Sequence, residues 1–184
     1  LYMAQPFYME YENSFNEGRN YSDIFSQFSN VFSHMKDEAT GLFYHGYDHS
    51  RSMFWCDKQS GLSPNFWLRA LGWYVMALVD VLEILDEDED RAFHTFISST
   101  FRSLIDSLMA FRDESGLWYQ VVDRGDDERN YLETSGSAII SYAVLKAVRL
   151  GILPDDMAVV GEDTLRGISR LYLKKDSSGR MKLG

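Results

Sequence analysis

Two kinds of apolar pattern alternate along the chain. Residues 1–13 (LYMAQPFYMEYEN) are apolar nearly all round, the pattern of a buried helix, with Pro6 tolerable in its first turn or at a kink. Residues 20–36 are one-sided: Ile24, Phe25, Phe28, Val31, Phe32 and Met35 recur at spacings of three and four, with serines and asparagines opposite. The pair then repeats. Residues 65–85 are apolar on most faces, and residues 89–112 are one-sided through Phe93, Phe96, Ile97, Phe101, Leu104, Ile105, Leu108 and Met109. The acidic run Asp86–Asp90 opens that second helix as a solvated cap, since it lacks the glycine and spacing of a calcium loop. A third pair follows, with residues 134–150 apolar on most faces and residues 156–174 one-sided; Gly151 can cap the first of these helices and Pro154 blocks its continuation.

Each one-sided helix leads into an Asp-to-Gly turn and a short extended piece. Gly41, Gly116 and Gly179 mark these turns, 75 and 63 residues apart. A long period built of helix pairs predicts an all-α toroid or solenoid of helical hairpins. The alternation favours a toroid, because inner helices are covered on both sides while outer helices face water. The loops after the outer helices, carrying His45, Asp48, Trp118 and Tyr119, then gather at one end. The starts of the inner helices, carrying Trp67, Arg69 and Thr134, lie at the same end, and function is expected there.

Composition narrows the partners. The chain has 184 residues, is 45% hydrophobic and 15% aromatic, and can bury a sizeable core. With 18 basic and 28 acidic residues and no basic stripe, nucleic acid is excluded as a partner. A single cysteine, Cys56, rules out an internal disulfide and a cysteine-rich metal site. No apolar run reaches the roughly 18 residues of a membrane span; a cytoplasmic location is expected, and the lack of a signal peptide at Leu1 carries little weight in it, since the chain starts without a methionine. Leu1 begins inside an apolar segment and Gly184 follows a turn, so residues 1–184 are expected to be one domain cut at both ends.

The stretch Asn65-Phe66-Trp67-Leu68-Arg69-Ala70-Leu71-Gly72-Trp73 holds the most specific chemistry. A guanidinium among so many apolar residues must meet an anion or several acceptors. One reading is a stacking surface plus an anion clamp for an acidic sugar, helped by the free N–H groups of a helix start. The other is a core tryptophan pair with Arg69 bound to a neighbouring carboxylate, and composition alone favours it. The loop Phe43–His49 is the densest polar and aromatic cluster. His45 and His49 are four apart, but Gly46 works against a helix and hence against zinc spacing. His45 is either a substrate hydrogen-bonder or proton carrier, or a loop histidine with a local role. In Glu133-Thr134-Ser135-Gly136-Ser137, Thr134 or Ser135 can cap the third inner helix, which leaves Glu133 as a spare carboxylate at the mouth.

Four motifs occur in order: Leu1-Tyr2-Met3-Ala4-Gln5-Pro6-Phe7, Gly41-Leu42-Phe43-Tyr44-His45-Gly46-Tyr47-Asp48, Phe66-Trp67-Leu68-Arg69-Ala70-Leu71-Gly72-Trp73 and Glu133-Thr134-Ser135-Gly136-Ser137. Together they resemble the unsaturated rhamnogalacturonyl hydrolases, glycoside hydrolase family 105. The resemblance covers the whole chain but about half of a family member. It implies an (α/α)6 barrel, of which the three hairpins would form half. It also implies a pectin-derived substrate, a disaccharide with a 4,5-unsaturated uronate at its non-reducing end. An aspartic acid protonates C4, water adds at C5, and the hemiketal opens to release the second sugar. This differs from glycosidases that flank the glycosidic bond with two carboxylates. No metal or other cofactor is implied.

Motif matching gives His45, Trp67, Arg69 and Trp73 contacts to the uronate, with Met3, Tyr44, Asp48, Glu133 and Thr134 as further candidates. The family's aspartate stands two residues before Leu-Tyr-Met, upstream of Leu1, so the 184 residues alone are expected to be inactive. Ala70-Leu71 replaces the Gly-Asn of many relatives. Alternatives are an unsaturated glucuronyl hydrolase acting on glycosaminoglycan fragments, or a non-enzymatic helical scaffold. Self-association through the incomplete barrel is expected.

Overall fold

The computed structural model describes residues 1–85, 88 and 90–183. Among the described residues six α-helices follow one another: α1 (Gln5–Tyr11), α2 (Tyr21–Met35), α3 (Leu68–Ile84), α4 (Arg91–Met109), α5 (Thr134–Arg149) and α6 (Ala158–Tyr172). They form three helical hairpins of the (α/α)6 type, with α1, α3 and α5 inner and α2, α4 and α6 outer. The one-sided stripes become the buried faces of the outer helices, through Ile24 and Phe28 on α2 and through Phe93, Ile97, Phe101, Leu104, Ile105 and Leu108 on α4. Neighbouring outer helices interlock through rings: Phe25 meets Phe93 and Phe96 edge-on, with centroids 5.2 and 5.1 Å apart.

The central inner helix α3 is buried on every face but one. Its remaining stripe runs through Arg69, Trp73, Met76, Asp80 and Glu83, spaced three and four apart, so these side chains stand above one another on one side. Against α5 the backbone approach is close. A Cβ on Gly72 would lie 3.2 Å from Ile139 Cγ2, and one on Gly136 only 2.7 Å from Leu68 Cγ. Further down the same pair, Lys146 of α5 is held by Asp80 at 2.7 Å and by Glu83, which also takes Arg149.

The turns after the outer helices share one construction. In each, an aspartate carboxylate accepts a backbone N–H two or three residues on: Asp37 from Thr40, Asp113 from Ser115 and Asp176 from Ser178. Each turn closes on a glycine at positive φ, +73° at Gly41, +90° at Gly116 and +79° at Gly179, where a side chain would be strained. A fourth such turn, Asp57 to Gly61, lies in the excursion between α2 and α3 and carries the same Gly-N–H to Asp-carbonyl bond, 2.8 Å.

One expectation is corrected. Residues 1–13 do not form one buried helix: α1 spans seven residues and passes into a π-helical turn, Glu12–Asn16. Only Gln5 and Met9 of α1 are buried, and Met3, Phe7, Tyr11 and Phe15 are exposed, because α3 covers just one side of it. Pro6 does occupy the first turn. The π-helical turn is organised by the buried Glu12. Burial pushes its carboxyl up, but hydrogen bonds from Asn20 and Asn16 outweigh this and hold it below the usual range. The third extended piece pairs as a small antiparallel hairpin, β1 (Leu173–Lys175) with β2 (Met181–Leu183), Lys174 facing Lys182. The acidic cap is carried by Asp90, which accepts from Phe93 N–H at 3.0 Å; Asp86, Glu87 and Glu89 lie outside the described residues. Among the described residues, no helix is long and apolar enough to cross a membrane.

Candidate functional site at the start of α3

The extended piece expected after Gly116 ties together the beginnings of α3 and α5, a pairing that sequence periodicity did not show. Residues 118–122 run between the two helix starts. On one side Leu68 N–H donates to Gln120 C=O (2.9 Å) and Val122 N–H to Phe66 C=O (3.0 Å); on the other Gln120 N–H donates to Tyr131 C=O and Glu133 N–H to Trp118 C=O, both 2.9 Å. The anchor of the piece is Trp118, fully buried, with its indole N–H on Leu108 C=O at 2.7 Å.

On this frame α3 opens at Trp67, which is extended and offers no side-chain cap. The N–H groups of Arg69 and Ala70 have no acceptor among the described residues. Trp67 and Trp73 are 39% and 40% exposed, which decides against the core tryptophan pair. Each keeps a ring neighbour: His45 meets Trp67 edge-on at 5.7 Å, and Tyr2 stacks on Trp73 at 4.7 Å. His45 is oriented from behind, its Nδ1 lying 2.9 Å from Asn65 C=O and 3.1 Å from Ser63 Oγ. That leaves Nε2 free for a ligand. A cleft of about 160 Å³ lies beside Trp73, lined among others by Leu1, Tyr2, Tyr44, His45 and Ala70, with the buried Tyr74 in its wall. The Tyr74 hydroxyl has no partner among the described residues, and burial pushes its pKa up.

Arg69 does have a carboxylate partner, so the second reading of the motif holds for the arginine while it fails for the tryptophans. Its Nη2 donates to Glu133 Oε1 at 3.0 Å; the guanidinium side chain is 46% exposed and Glu133 5%. Glu133 is not spare. It is the N-cap of α5, accepting from the N–H groups of Ser135 and Gly136, so neither Thr134 nor Ser135 caps that helix. Burial pushes the Glu133 carboxyl up, but Ser135, Gly136 and Arg69 together overcome this and hold it below the ordinary glutamate range.

The other candidates separate. Tyr44 packs on Phe66, 4.5 Å between centroids, and lines the cleft. Its hydroxyl is pushed up by burial, then by Asp37 and Asp123. Asp48 is a loop organiser. It accepts from the N–H groups of Met53, Ser52 and Ser50 and from Ser50 Oγ, which hold its carboxyl far below the usual range. Met3 is exposed and outside the cleft lining, and Thr134 is the first residue of α5. Tyr2 and Ser63 were not among the candidates. Tyr2 lies in the first motif, but only the fold brings it to Trp73, and Ser63 is a common residue with no pattern around it.

The family model described as Glycosyl Hydrolase Family 88 matches residues 1–182. The chain is 38% identical over 185 residues to the 24.9 kDa protein in the picA locus of Rhizobium radiobacter, covering 98% of this chain and 78% of that one. It is 30% identical over 142 residues to the unsaturated rhamnogalacturonyl hydrolase YesR of Bacillus subtilis, covering 77% of this chain and 36% of that one. The structure of a family 105 glycoside hydrolase from C. acetobutylicum superimposes with a TM-score of 0.92 at 38% identity, over 99% of this chain and 50% of the other. The chain thus spans about half the length of the solved structures it matches. With the motifs in order, the hairpins superimposed and the family model matched nearly end to end, the chain belongs to the family 88/105 glycoside hydrolases.

Proposed function

We propose that this chain carries the uronate-binding wall of an enzyme that removes a 4,5-unsaturated uronic acid from rhamnogalacturonan-derived disaccharides, by hydrating the C4–C5 double bond. The observation that carries this reading is the start of α3: an uncapped helix end, a half-exposed arginine and two half-exposed tryptophans within seven residues. A carboxylate there meets free backbone N–H groups, a favourable helix dipole and guanidinium donors. Sugar faces stack on indole rings. His45, with Nδ1 occupied, directs Nε2 as donor or acceptor. The likeness to YesR supports this substrate class.

Hydration needs an acid that is protonated when it meets C4. Glu133 and Asp48 are both held as carboxylates by the groups around them, so neither suits that task. On this reading the donor is the aspartate that the family resemblance implies two residues before Leu1. The binding role of the 184 residues is tested by titrating them with unsaturated galacturonyl-rhamnose and following tryptophan emission. Saturable quenching or enhancement, lost with the saturated neutral disaccharide, is expected. No saturable change would overturn the reading. Hydration is followed by loss of the ultraviolet absorbance of the conjugated double bond, and is expected only when the aspartate before Leu1 is present. Turnover by the 184 residues alone would show that the acid lies elsewhere.

A further inference from the structure

We propose that Glu133 is a positioning residue for Arg69: it fixes one edge of the guanidinium and leaves the remaining donors turned to a carboxylate ligand at the start of α3. This rests on the uronate reading of the site.

The residue type is the first indication. Short side chains (Ser, Thr, Asp, Asn) are the favoured N-caps, and any of them could close α5. Glutamate is one methylene longer than aspartate, and here that length spans from α5 to α3. The second indication is how firmly the carboxylate is held. Oε1 accepts from Ser135 N–H at 3.1 Å, from Ser135 Oγ at 2.7 Å and from Arg69 Nη2 at 3.0 Å, while Oε2 accepts from Gly136 N–H. Three of these four donors belong to the first turn of α5, so the carboxylate cannot swing and the fourth donor meets a fixed point. The third is space: a Cβ at residue 136 would come within 2.7 Å of Oε2, and Gly136 keeps that room open.

On the other side of the pair, Arg69 makes no further hydrogen bond among the described residues. A guanidinium carries five N–H donors in a rigid fork, so most of them stay available. The anchor is buried and the arm is half exposed, the arrangement of a residue that holds and a residue that binds. Glu133 also offsets the arginine charge. Recognition then depends on direction as well as attraction, and a misplaced arginine is expected to lose much of its use.

Capping and positioning are separated by Glu133→Asp. Aspartate is a strong N-cap but falls short of Arg69. The expected result is a melting temperature within a few degrees of wild type and loss of order at the Arg69 Nε–H group, read by 15N relaxation and assigned by its disappearance in Arg69→Lys. Affinity for unsaturated galacturonyl-rhamnose should fall about tenfold or more, the scale of one charge-assisted hydrogen bond. Glu133→Gln, which keeps the length and one acceptor, should retain more order at Arg69 than Glu133→Asp. An unchanged Arg69 signal in Glu133→Asp, or wild-type affinity in that variant, would reduce Glu133 to a cap and overturn the proposal. If Glu133→Asp fails to fold, Glu133→Ser, also a favoured N-cap by type and too short to reach Arg69, carries the same readouts against wild type, and unchanged Arg69 order there has the same meaning. If wild type itself does not bind the disaccharide, the uronate reading falls, while the relaxation measurement still decides whether Glu133 fixes Arg69.

Discussion

The inner helices α3 and α5 begin at the same end of the toroid, on the same backbone ribbon, yet their first turns are built in opposite ways. The start of α5 is closed: the Glu133 carboxylate takes the N–H groups of Ser135 and Gly136, and the Ser137 hydroxyl closes back on Glu133 C=O at 2.6 Å. The start of α3 is open, with tryptophan in the cap position and no side-chain acceptor for its N–H groups. A helix end needs acceptors for its free donors. Where the chain supplies them the end is structural, and where it leaves them open a ligand can supply them. The closed end also lends its carboxylate to the arginine of the open one, so the structural helix serves the binding helix.

The comparison breaks most severely at the contact between the two helices. Gly136→Ala would drive a methyl group into Glu133 Oε2 and Leu68 Cγ, both 2.7 Å away. The gain in helix propensity of roughly 1 kcal/mol is outweighed by overpacking, and a net loss of about 2 kcal/mol is expected by urea denaturation. Next comes Glu133→Ala, which opens the closed end. Losing the cap should cost about 1 kcal/mol. Arg69 is half exposed and adds little, since solvent screens it.

The pH dependence of that loss has a definite sign. Glu133 has its folded pKa below the ordinary glutamate value of 4.5, so its contribution is fully present above that value and fades as pH falls through the folded one. The difference in stability between wild type and Glu133→Ala should therefore be constant at neutral pH and shrink once the pH drops below 4.5. A difference that grows on acidification would contradict the assignment. The smallest effect is expected at the open end. Trp67→Ala removes a half-exposed ring and should change stability by no more than about 0.5 kcal/mol, as surface substitutions do, while weakening ligand binding and leaving Trp73 to report it. Trp73→Ala should cost somewhat more, about 1 kcal/mol, because Tyr2 stacks on it.

Helix periodicity was enough to read the three hairpins, the inner and outer layers and the Asp-to-Gly turns, since each depends on neighbours in the chain. It showed an extended piece after Gly116 but not the partners of residues 118–122, whose strand-like pairing is set by two distant helix starts. For the same reason the partner of Arg69, 64 positions away in sequence, was legible only as a demand for some carboxylate. Glu133 was visible as an acid near the mouth, but its role was hidden behind Thr134 and Ser135, which are better caps by type. The first helix misled because the apolar residues of that stretch, Met3, Phe7 and Tyr11 among them, read as buried on composition, whereas burial depends on what packs against them.

The open end of α3 as a carboxylate site is tested most directly by comparing two ligands on one protein. Unsaturated galacturonyl-rhamnose and its uronate methyl ester differ in a single charge, and tryptophan emission reports both. The account predicts that the free acid binds about tenfold or more tighter than the ester, and that Arg69→Lys removes most of that preference, because lysine offers no planar fork. Equal affinity for acid and ester, in wild type and Arg69→Lys alike, would contradict it.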